Sequence, residues 1–226
     1  MLLEIIATTL SEAIDIEKYG ADRIELVTGV SDGGLTPSIA LAKEVCESVS
    51  IPVYVMLRPH SKSFVYDESD KKVILEDLKA LRNTKAEGIV FGALNKDGSI
   101  DTDLLKEVIL NKGDLKLVFH RAIDRSNNVL ENTKLLCEYD IVRILTSGGE
   151  DNAILGTDVI NQMTDITSEF GITILAGAGL TPHNIKDFLE TSNVSEVHMG
   201  SGVKFKGSNL EDISEELVNK TLKLIN

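Results

Sequence analysis

The chain has little cysteine, little proline and no tryptophan. Its 226 residues include only two cysteines, Cys46 and Cys137, and four prolines. Two cysteines are too few for a disulfide framework or a spaced zinc site, and such usage is typical of a reducing compartment. No Ser-rich or Gly-rich linker interrupts the sequence. We therefore expect one domain that spans residues 1–226.

Basic residues are also scarce. Lys and Arg number 23 against 36 Asp and Glu, which gives a formal net charge of −13. This balance argues against a nucleic-acid partner or an anionic membrane, because both need clustered cations to neutralise phosphates. The sequence starts without a basic segment that leads into an apolar stretch, and no apolar run reaches membrane-spanning length. We expect a cytoplasmic protein.

Eight short apolar runs, each followed by a helix signal, give the chain its pattern. We predict strands at 2–7, 23–27, 53–57, 89–91, 117–120, 142–145, 172–176 and 197–199. Helices are predicted at 9–19, from 37, at 69–82, 101–110, from 128, at 153–170, from 181 and at 213–224. Thr9, Thr36 and Asn128 are the predicted N-caps, and Pro37 and Pro182 open helices.

Strands that alternate with helices form parallel sheets, and eight such units in 226 residues predict a TIM (β/α)8 barrel of the α/β class. The alternative is an open doubly wound sheet. It lacks support because no Gly-x-Gly-x-x-Gly follows the first strand, where a dinucleotide-binding fold needs it. In a TIM barrel the active site lies at the carboxyl ends of the strands.

Several charged residues fall within or just after the predicted strands. Because a charge cannot face the apolar helix layer, these side chains should point into the barrel: Glu4, Glu25, Arg58, His120, Arg143 and His198. One interpretation is a salt-bridge network, with Glu25 paired to Arg143, and we favour it for Arg143. At the strand ends we favour a functional site made of Arg58, His120, Arg121 and Asp124. Glu4 and Glu25 fit either interpretation.

Glycines mark the loops after three strands. Gly177 and Gly179 follow the seventh strand, Gly200 and Ser201 follow the eighth, and Ser147 lies after the sixth. Barrels often bind a phosphate group through backbone N–H groups of the last two loops. Glycine is also ordinary turn material, so each motif alone is weak. Together they predict an anion site.

The candidate chemistry is proton transfer on a small anionic, or phosphorylated, molecule. Arg58 and Arg121 would hold the anion, His120 would act as general base or acid, and Asp124 or Glu25 would orient His120. No lysine stands at a strand end, and neither a serine nucleophile elbow nor a Cys–His pair occurs. The reaction is undefined. The remaining binding residues would be Glu4, Ser147, Gly177, Gly179, His198, Gly200 and Ser201.

Metal binding is a second interpretation of the same residues. Glu4, Glu25, His120 and His198 offer oxygen and nitrogen donors for a divalent ion, but their spacing matches no specific metal motif. Cys46 and Cys137 fall on helix faces among apolar residues, where packed core thiols are expected. We predict no metal ligand and no cofactor, with the two cysteines as copper ligands only under the copper alternative.

The motifs resemble those of the CutC family, named for copper homeostasis, over residues 1 to about 205. They are Glu25-Leu26, Gly33-Gly34-Leu35-Thr36-Pro37-Ser38, Val55-Met56, Arg58-Pro59, Phe64-Val65-Tyr66, Val90-Phe91-Gly92-Ala93-Leu94, Asp97-Gly98, Ile100-Asp101, Phe119-His120-Arg121-Ala122-Ile123-Asp124, Arg143-Ile144-Leu145-Thr146-Ser147-Gly148 and Ala176-Gly177-Ala178-Gly179. The resemblance implies a cytoplasmic TIM barrel, often a homodimer, with a historical link to copper tolerance and no settled reaction.

Two positions depart from the family's pattern. The family commonly has a cysteine where this chain has Val27, and a second arginine where it has His60. Cysteine is the natural Cu(I) ligand because soft thiolate matches the soft metal. Val27 therefore favours the anion hypothesis over non-catalytic Cu(I) binding.

Overall fold

The computed structural model describes all residues from 1 to 226 and contains a closed barrel of eight parallel strands. Each strand pairs with its neighbours in sequence, and β1 closes the barrel against β8. This single domain confirms the predicted TIM (β/α)8 barrel, and the alternative of an open sheet is wrong. The strands are β1 (Leu2–Ala7), β2 (Arg23–Leu26), β3 (Val53–Met56), β4 (Gly88–Phe91), β5 (Lys116–Phe119), β6 (Arg143–Thr146), β7 (Thr173–Ala176) and β8 (Glu196–Met199).

A helix follows every strand and packs on the outside of the sheet. None of these helices is long and apolar enough to cross a lipid bilayer. The helices are α1 (Leu10–Lys18), α2 (Ile39–Ser48), α3 (Glu68–Leu81), α4 (Thr102–Asn111), α5 (Val129–Leu136), α6 (Thr157–Thr167), α7 (Ile185–Thr191) and α8 (Glu215–Ile225).

Two of the predicted N-caps are confirmed and one is wrong. Thr9 and Asn128 accept backbone N–H groups at the starts of α1 and α5. At α2 the cap is Ser38, whose hydroxyl accepts the Leu41 N–H at 3.2 Å. Thr36 Oγ1 instead accepts the N–H of Arg58 at 2.8 Å. It therefore satisfies a donor just beyond the end of β3, and α2 begins two residues after Pro37.

Helices α6 and α7 begin later than predicted. The chain before α6 folds back on the loop after β6, and a Cβ at Gly156 would lie 1.9 Å from the Ser147 carbonyl oxygen. Before α7, the side-chain oxygen of Asn184 accepts the Thr181 N–H at 2.8 Å, which forms a turn instead of a helical start. Both segments belong to the loops that border the carboxyl end of the barrel.

Alternation along the strands divides the apolar residues into two layers. On β5, Leu117 and Phe119 belong to the large cluster of 50 buried residues that fills the space between sheet and helices. Val118, between them, faces the barrel interior. Seven buried apolar residues form the interior cluster, and three partly buried ones, Ile6, Val30 and Val142, pack against it. The seven are Val27, Tyr54, Met56, Val90, Val118, Leu145 and Leu175.

Charged side chains fill the amino-terminal half of the interior. The guanidinium of Arg23, 2% exposed, pairs with Glu4 and lies 2.5 Å from Glu196. Arg143 donates to the same Glu196 at 2.6 Å and to the Tyr54 hydroxyl at 2.9 Å. The predicted salt-bridge network exists, but the predicted pair of Glu25 with Arg143 is wrong. Arg143 is the first residue of β6 and reaches Glu196, the first residue of β8.

Replacing Arg23 with methionine should lower the free energy of unfolding by about 3–5 kcal/mol, because Glu196 and Glu4 would keep their buried charges without this cation. Urea denaturation measures the change. The matched control is Lys116→Met, since Lys116 pairs with Glu87 at the surface, where the side chains are 51% and 39% exposed. That variant should lose less than about 1 kcal/mol. Equal losses in both variants would contradict a stabilising role of the buried pairs.

Candidate functional site

A cavity of about 240 Å³ lies at the carboxyl end of the barrel, among the loops that follow the strands. Several predicted site residues line it: Glu25, His120, Arg121, Gly179, His198, Gly200 and Ser201. Others do not belong to its wall: Glu4, Arg58, Asp124, Ser147 and Gly177. The structure therefore brings together residues from β2, β5, β7 and β8 that are far apart in sequence.

A buried chain of three ionisable groups enters the cavity wall. Glu4 Oε1 lies 2.7 Å from Nδ1 of His198, and the other ring nitrogen, Nε2, lies 3.7 Å from Glu25 Oε2. Strand register causes this arrangement, because Glu4 pairs with His198 across the β1–β8 closure, and Glu25 lies on the other neighbour of β1. Glu4 therefore holds the imidazole in place while Glu25 faces it from the opposite side.

Burial and charge separate the pKa values of the two carboxylates. Burial alone would raise the pKa of Glu4, but Arg23 and His198 outweigh it and lower the pKa to about 2. Burial raises the pKa of Glu25 to about 7, against the opposing charge of His198. Burial also disfavours the charged imidazole of His198, yet Glu25 and Glu4 raise its pKa. Near neutral pH, Glu4 is ionised and Glu25 is poised to exchange a proton.

His120 has a different state from the one predicted. Its Nδ1 accepts the N–H of Ala122 at 3.1 Å, so the neutral ring carries its proton on Nε2. Burial, together with the charge of Arg58, lowers the pKa of His120 to about 3. The imidazole is therefore neutral near pH 7, and its free nitrogen is a hydrogen-bond donor. This lowered pKa does not favour the predicted role of His120 as a general base or acid near neutral pH.

Asp124 does not orient His120, contrary to the prediction. Its carboxylate accepts the Thr146 hydroxyl at 2.5 Å and the backbone N–H groups of Ser147 and Gly149 at 3.0 and 3.1 Å. Arg121 donates to it at 2.8 Å. Glu25 does not orient His120 either, because it faces His198. Asp124 and Ser147 instead join the loops after β5 and β6 and hold Arg121 at the cavity rim.

Arg58 is also engaged within the protein. One terminal nitrogen of its guanidinium donates to the carbonyl oxygens of Asp32 and Gly34 at 3.1 and 3.2 Å, and the group lies 4.6 Å from the centre of the Phe64 ring. The side chain therefore fastens the loop after β2 to the end of β3. This geometry does not favour the expected role of Arg58 in holding an anion.

The loops after β7 and β8 carry unpaired backbone donors. The N–H groups of Ala178, Gly179 and Gly200 have no acceptor in the protein, and all three residues line the cavity. Ala178 and Gly179 have φ angles of 77° and 73°, a backbone conformation that is unusual for alanine. Gly177 differs, because its N–H donates to the Thr146 carbonyl at 3.0 Å. Gly179 and Gly200 thus provide donors for a ligand, whereas Gly177 does not.

The two cysteines lie away from the cavity, as their helix positions predict. Cys46 is buried on α2, and burial raises its thiol pKa to about 11. Cys137 follows α5, and its Sγ donates to the Thr133 carbonyl oxygen at 3.3 Å. Burial raises the pKa of this thiol too. Both are free thiols.

The structure also places the two departures from the family pattern. Val27 lies at the cavity wall. His60 lies beside Asp70 on α3.

Sequence reasoning missed some residues of the site. Arg23 pairs with Glu4, and Glu196 pairs with Arg23 and Arg143. Arg23 and Glu196 lie two residues before Glu25 and His198, respectively, so strand alternation already places Arg23 and Glu196 in the interior. Asn209 and Phe64 line the cavity from long loops, where no sequence period marks the direction of a side chain. The unpaired N–H groups have no sequence signal beyond the glycines.

Comparison with known proteins agrees with this architecture. The family model described as the CutC family matches residues 1–203. The chain belongs to the CutC family. The protein named CutC of Yersinia pseudotuberculosis is 36% identical over 200 residues, 88% of this chain and 78% of the relative. The human protein named copper homeostasis protein cutC homolog is 34% identical over 215 residues, 92% of this chain and 78% of the relative.

Solved structures show the same fold. A structure named as the putative copper homeostasis protein CutC from Streptococcus agalactiae has a TM-score of 0.83 at 26% identity, covering 88% of this chain and 98% of that one. Phosphoribosyl anthranilate isomerase from Thermotoga maritima has a TM-score of 0.66 at 13% identity, covering 100% of this chain and 98% of that one. The latter similarity is one of barrel fold alone.

The buried neutral state of His120 makes a prediction about stability and pH. Its folded pKa is below the unfolded value of 6.5, so its contribution is complete above pH 6.5 and is lost as the pH falls toward 3. Between pH 6.5 and 5, the wild type should lose about 1 kcal/mol per pH unit more than His120→Asn. Urea denaturation at several pH values measures the free energy of unfolding of the wild type and of His120→Asn. His183→Asn, at an exposed histidine, is the control and should keep the wild-type slope; an unchanged slope in His120→Asn would contradict the neutral state.

Proposed function

We propose that this protein binds a small anionic metabolite, with phosphate as the favoured anionic group, at the carboxyl end of the barrel. The observation that carries the proposal is the set of unpaired N–H groups of Ala178, Gly179 and Gly200 around one cavity. Backbone donors without a partner lose hydrogen bonds, and an anion that accepts from several of them recovers those bonds.

Positive charge at the rim supports the same ligand. The Arg121 side chain is 37% exposed and lines the cavity, and its contacts with Asp124 and Ser147 hold it in place. A guanidinium fixed in advance loses less conformational entropy when it meets an anion.

The proposed activity is acid–base chemistry by Glu25, held in place by His198, on the bound molecule. Glu25 exchanges protons near neutral pH, and the hydrogen bond that His198 donates to Glu4 fixes the orientation of the imidazole. A general base or acid works best when its pKa is close to the pH at which it operates. Glu25 therefore takes the role that the sequence suggested for His120, and His120 contributes a hydrogen-bond donor.

Ser201 offers a direct test of anion binding, because it lines the cavity next to Gly200 and its side chain makes no hydrogen bond in the protein. Ser201→Asp should weaken the binding of inorganic phosphate at least tenfold, since a carboxylate repels the anion. Calorimetric titration measures the affinity. Ser201→Asn has nearly the same shape without the charge and should stay within about threefold of the wild type. Absence of phosphate binding in the wild type, or equal binding in both variants, would overturn the proposal.

Copper handling is the second candidate, because the human relative is named for copper homeostasis. The residues fit Cu(I) poorly. Cu(I) prefers thiolates, but Cys46 and Cys137 keep their protons and lie on helices in different parts of the outer layer. Glu4, Glu25 and His198 have ligand atoms within 4.8 Å of one another, yet this oxygen and nitrogen set suits a harder divalent ion.

Competition with a coloured Cu(I) chelator separates the two candidates. The Cys46→Ser, Cys137→Ser double variant should bind Cu(I) as weakly as the wild type. Val27→Cys should bind at least tenfold more tightly, because Val27 and the Met56 thioether lie side by side against Gly34 and would together supply two sulfur ligands. Tight binding by the wild type that the double variant loses would instead support copper handling through the thiols.

A further inference from the structure

Two buried polar atoms at the cavity lack partners. His120 Nε2 and Glu25 Oε1 are almost inaccessible to water and make no hydrogen bond, and they are the only such side-chain atoms that belong to cavity-lining residues. Leaving a buried donor or acceptor unpaired costs about 1–3 kcal/mol. One atom is a neutral N–H donor and the other is a carboxylate oxygen, so the cavity has an unused donor and an unused base.

Part of the cavity wall is apolar. Val27, Met56 and Leu145 form this wall together with Phe64, whose ring centre lies 5.0 Å from that of His120. Apolar walls exclude water, which strengthens hydrogen bonds inside the site and protects a reactive intermediate from stray protonation. The volume of about 240 Å³ is below the roughly 300–1,000 Å³ of pockets for drug-sized ligands, so it suits a molecule of a few carbons.

A base, a neutral hydrogen-bond donor and an anion cradle around one dry cavity are the parts that enolisation needs. Removal of a proton from carbon beside a carbonyl group places negative charge on the carbonyl oxygen. A neutral imidazole N–H stabilises that oxygen without protonating it fully, and a carboxylate takes the proton. An anionic group held at a distance keeps the reacting carbon in position.

Building on the proposed anion site, we propose that this protein enolises a small phosphorylated hydroxycarbonyl compound, with Glu25 as the base and His120 as the donor to the carbonyl oxygen. The C–H bond breaks, and its proton moves to the Glu25 carboxylate. The C–H electron pair forms a C=C bond, and the carbonyl π pair moves to the oxygen, which accepts the His120 Nε2–H. The hydroxyl proton on the adjacent carbon's oxygen then passes to the former carbonyl oxygen, and its O–H electron pair forms the new C=O bond. The C=C pair takes the proton back from Glu25 at the former carbonyl carbon, which completes an isomerisation that needs no oxidant or reductant.

His198 and Glu4 are positioning residues in this scheme. His198 Nε2 lies 3.7 Å from Oε2 of Glu25, whereas Oε1 is the oxygen without a partner. Glu4 fixes the ring from the other side at 2.7 Å. Together they restrict the rotation of the Glu25 carboxylate and leave Oε1 as the atom that receives the proton.

Hydrogen exchange tests the proposal without knowledge of the natural substrate. The wild type, incubated in D2O with dihydroxyacetone phosphate, ribulose 5-phosphate or fructose 6-phosphate, should exchange the C–H hydrogens beside the carbonyl of at least one of them, as followed by proton NMR. Glu25→Gln should slow the exchange about 10²–10⁴-fold, and His120→Asn about 10²–10³-fold. Glu76→Gln, at an exposed carboxylate of α3, is the control and should match the wild type.

Binding measurements distinguish failure of this inference from failure of the anion site. 2-Phosphoglycolate mimics the enediolate and should bind the wild type at least tenfold more tightly than inorganic phosphate. Glu25→Gln should lose this advantage while its affinity for phosphate stays within about threefold. Phosphate binding without exchange of any of the three sugar phosphates would overturn the enolisation alone, as would exchange that Glu25→Gln leaves unchanged. Absence of phosphate binding would overturn the anion site itself.

Discussion

The charge of Arg23 is the constraint on which the interior of this barrel depends. Two carboxylates, Glu4 and Glu196, approach its guanidinium in a space that is almost closed to water. Without a cation there, the buried charge of Glu4 would depend on His198 alone. The state of His198 in turn sets the environment of Glu25. A single buried cation at the amino-terminal end thus controls the proton affinity of a carboxylate at the cavity.

The interior is divided by chemistry as well as by depth. Charged residues of β1, β2 and β8 form one side, and apolar residues such as Met56 and Leu145 on β3 and β6 face them. His120 stands on the apolar side, which explains why it is neutral. Val27 belongs to that side too, and in this chain the wall there carries a hydrocarbon where the family pattern commonly places a thiol.

The architecture was predictable from sequence because it depends on local periods. Alternating apolar runs and capped helices define the eight units, and alternation within strands places Glu25 and His198 inside the barrel. The pairing of charges was not predictable. Glu25 and Arg143 both point inward, but their strands start at different heights, and only the register shows that Arg143 reaches Glu196.

The state of His120 depends on a single backbone contact. The Ala122 N–H assigns the tautomer, and no sequence pattern reports where that N–H points. The same holds for Thr36, whose hydroxyl serves a strand end and not a helix start. The residues along the strands thus predicted where the candidate site lies. Its chemistry depends on hydrogen bonds within loops, and loops have no regular sequence pattern that shows where their groups point.

The closure of the barrel has a consequence for biosynthesis. Glu4 and His198 are 194 residues apart in sequence and meet only when β8 docks against β1. A chain still emerging from the ribosome contains Glu4, Arg23 and Glu25 long before it contains the imidazole that completes the set. The contact between Glu4 and His198 therefore forms only after β8 has been made and has docked, and a chain without β8 lacks it.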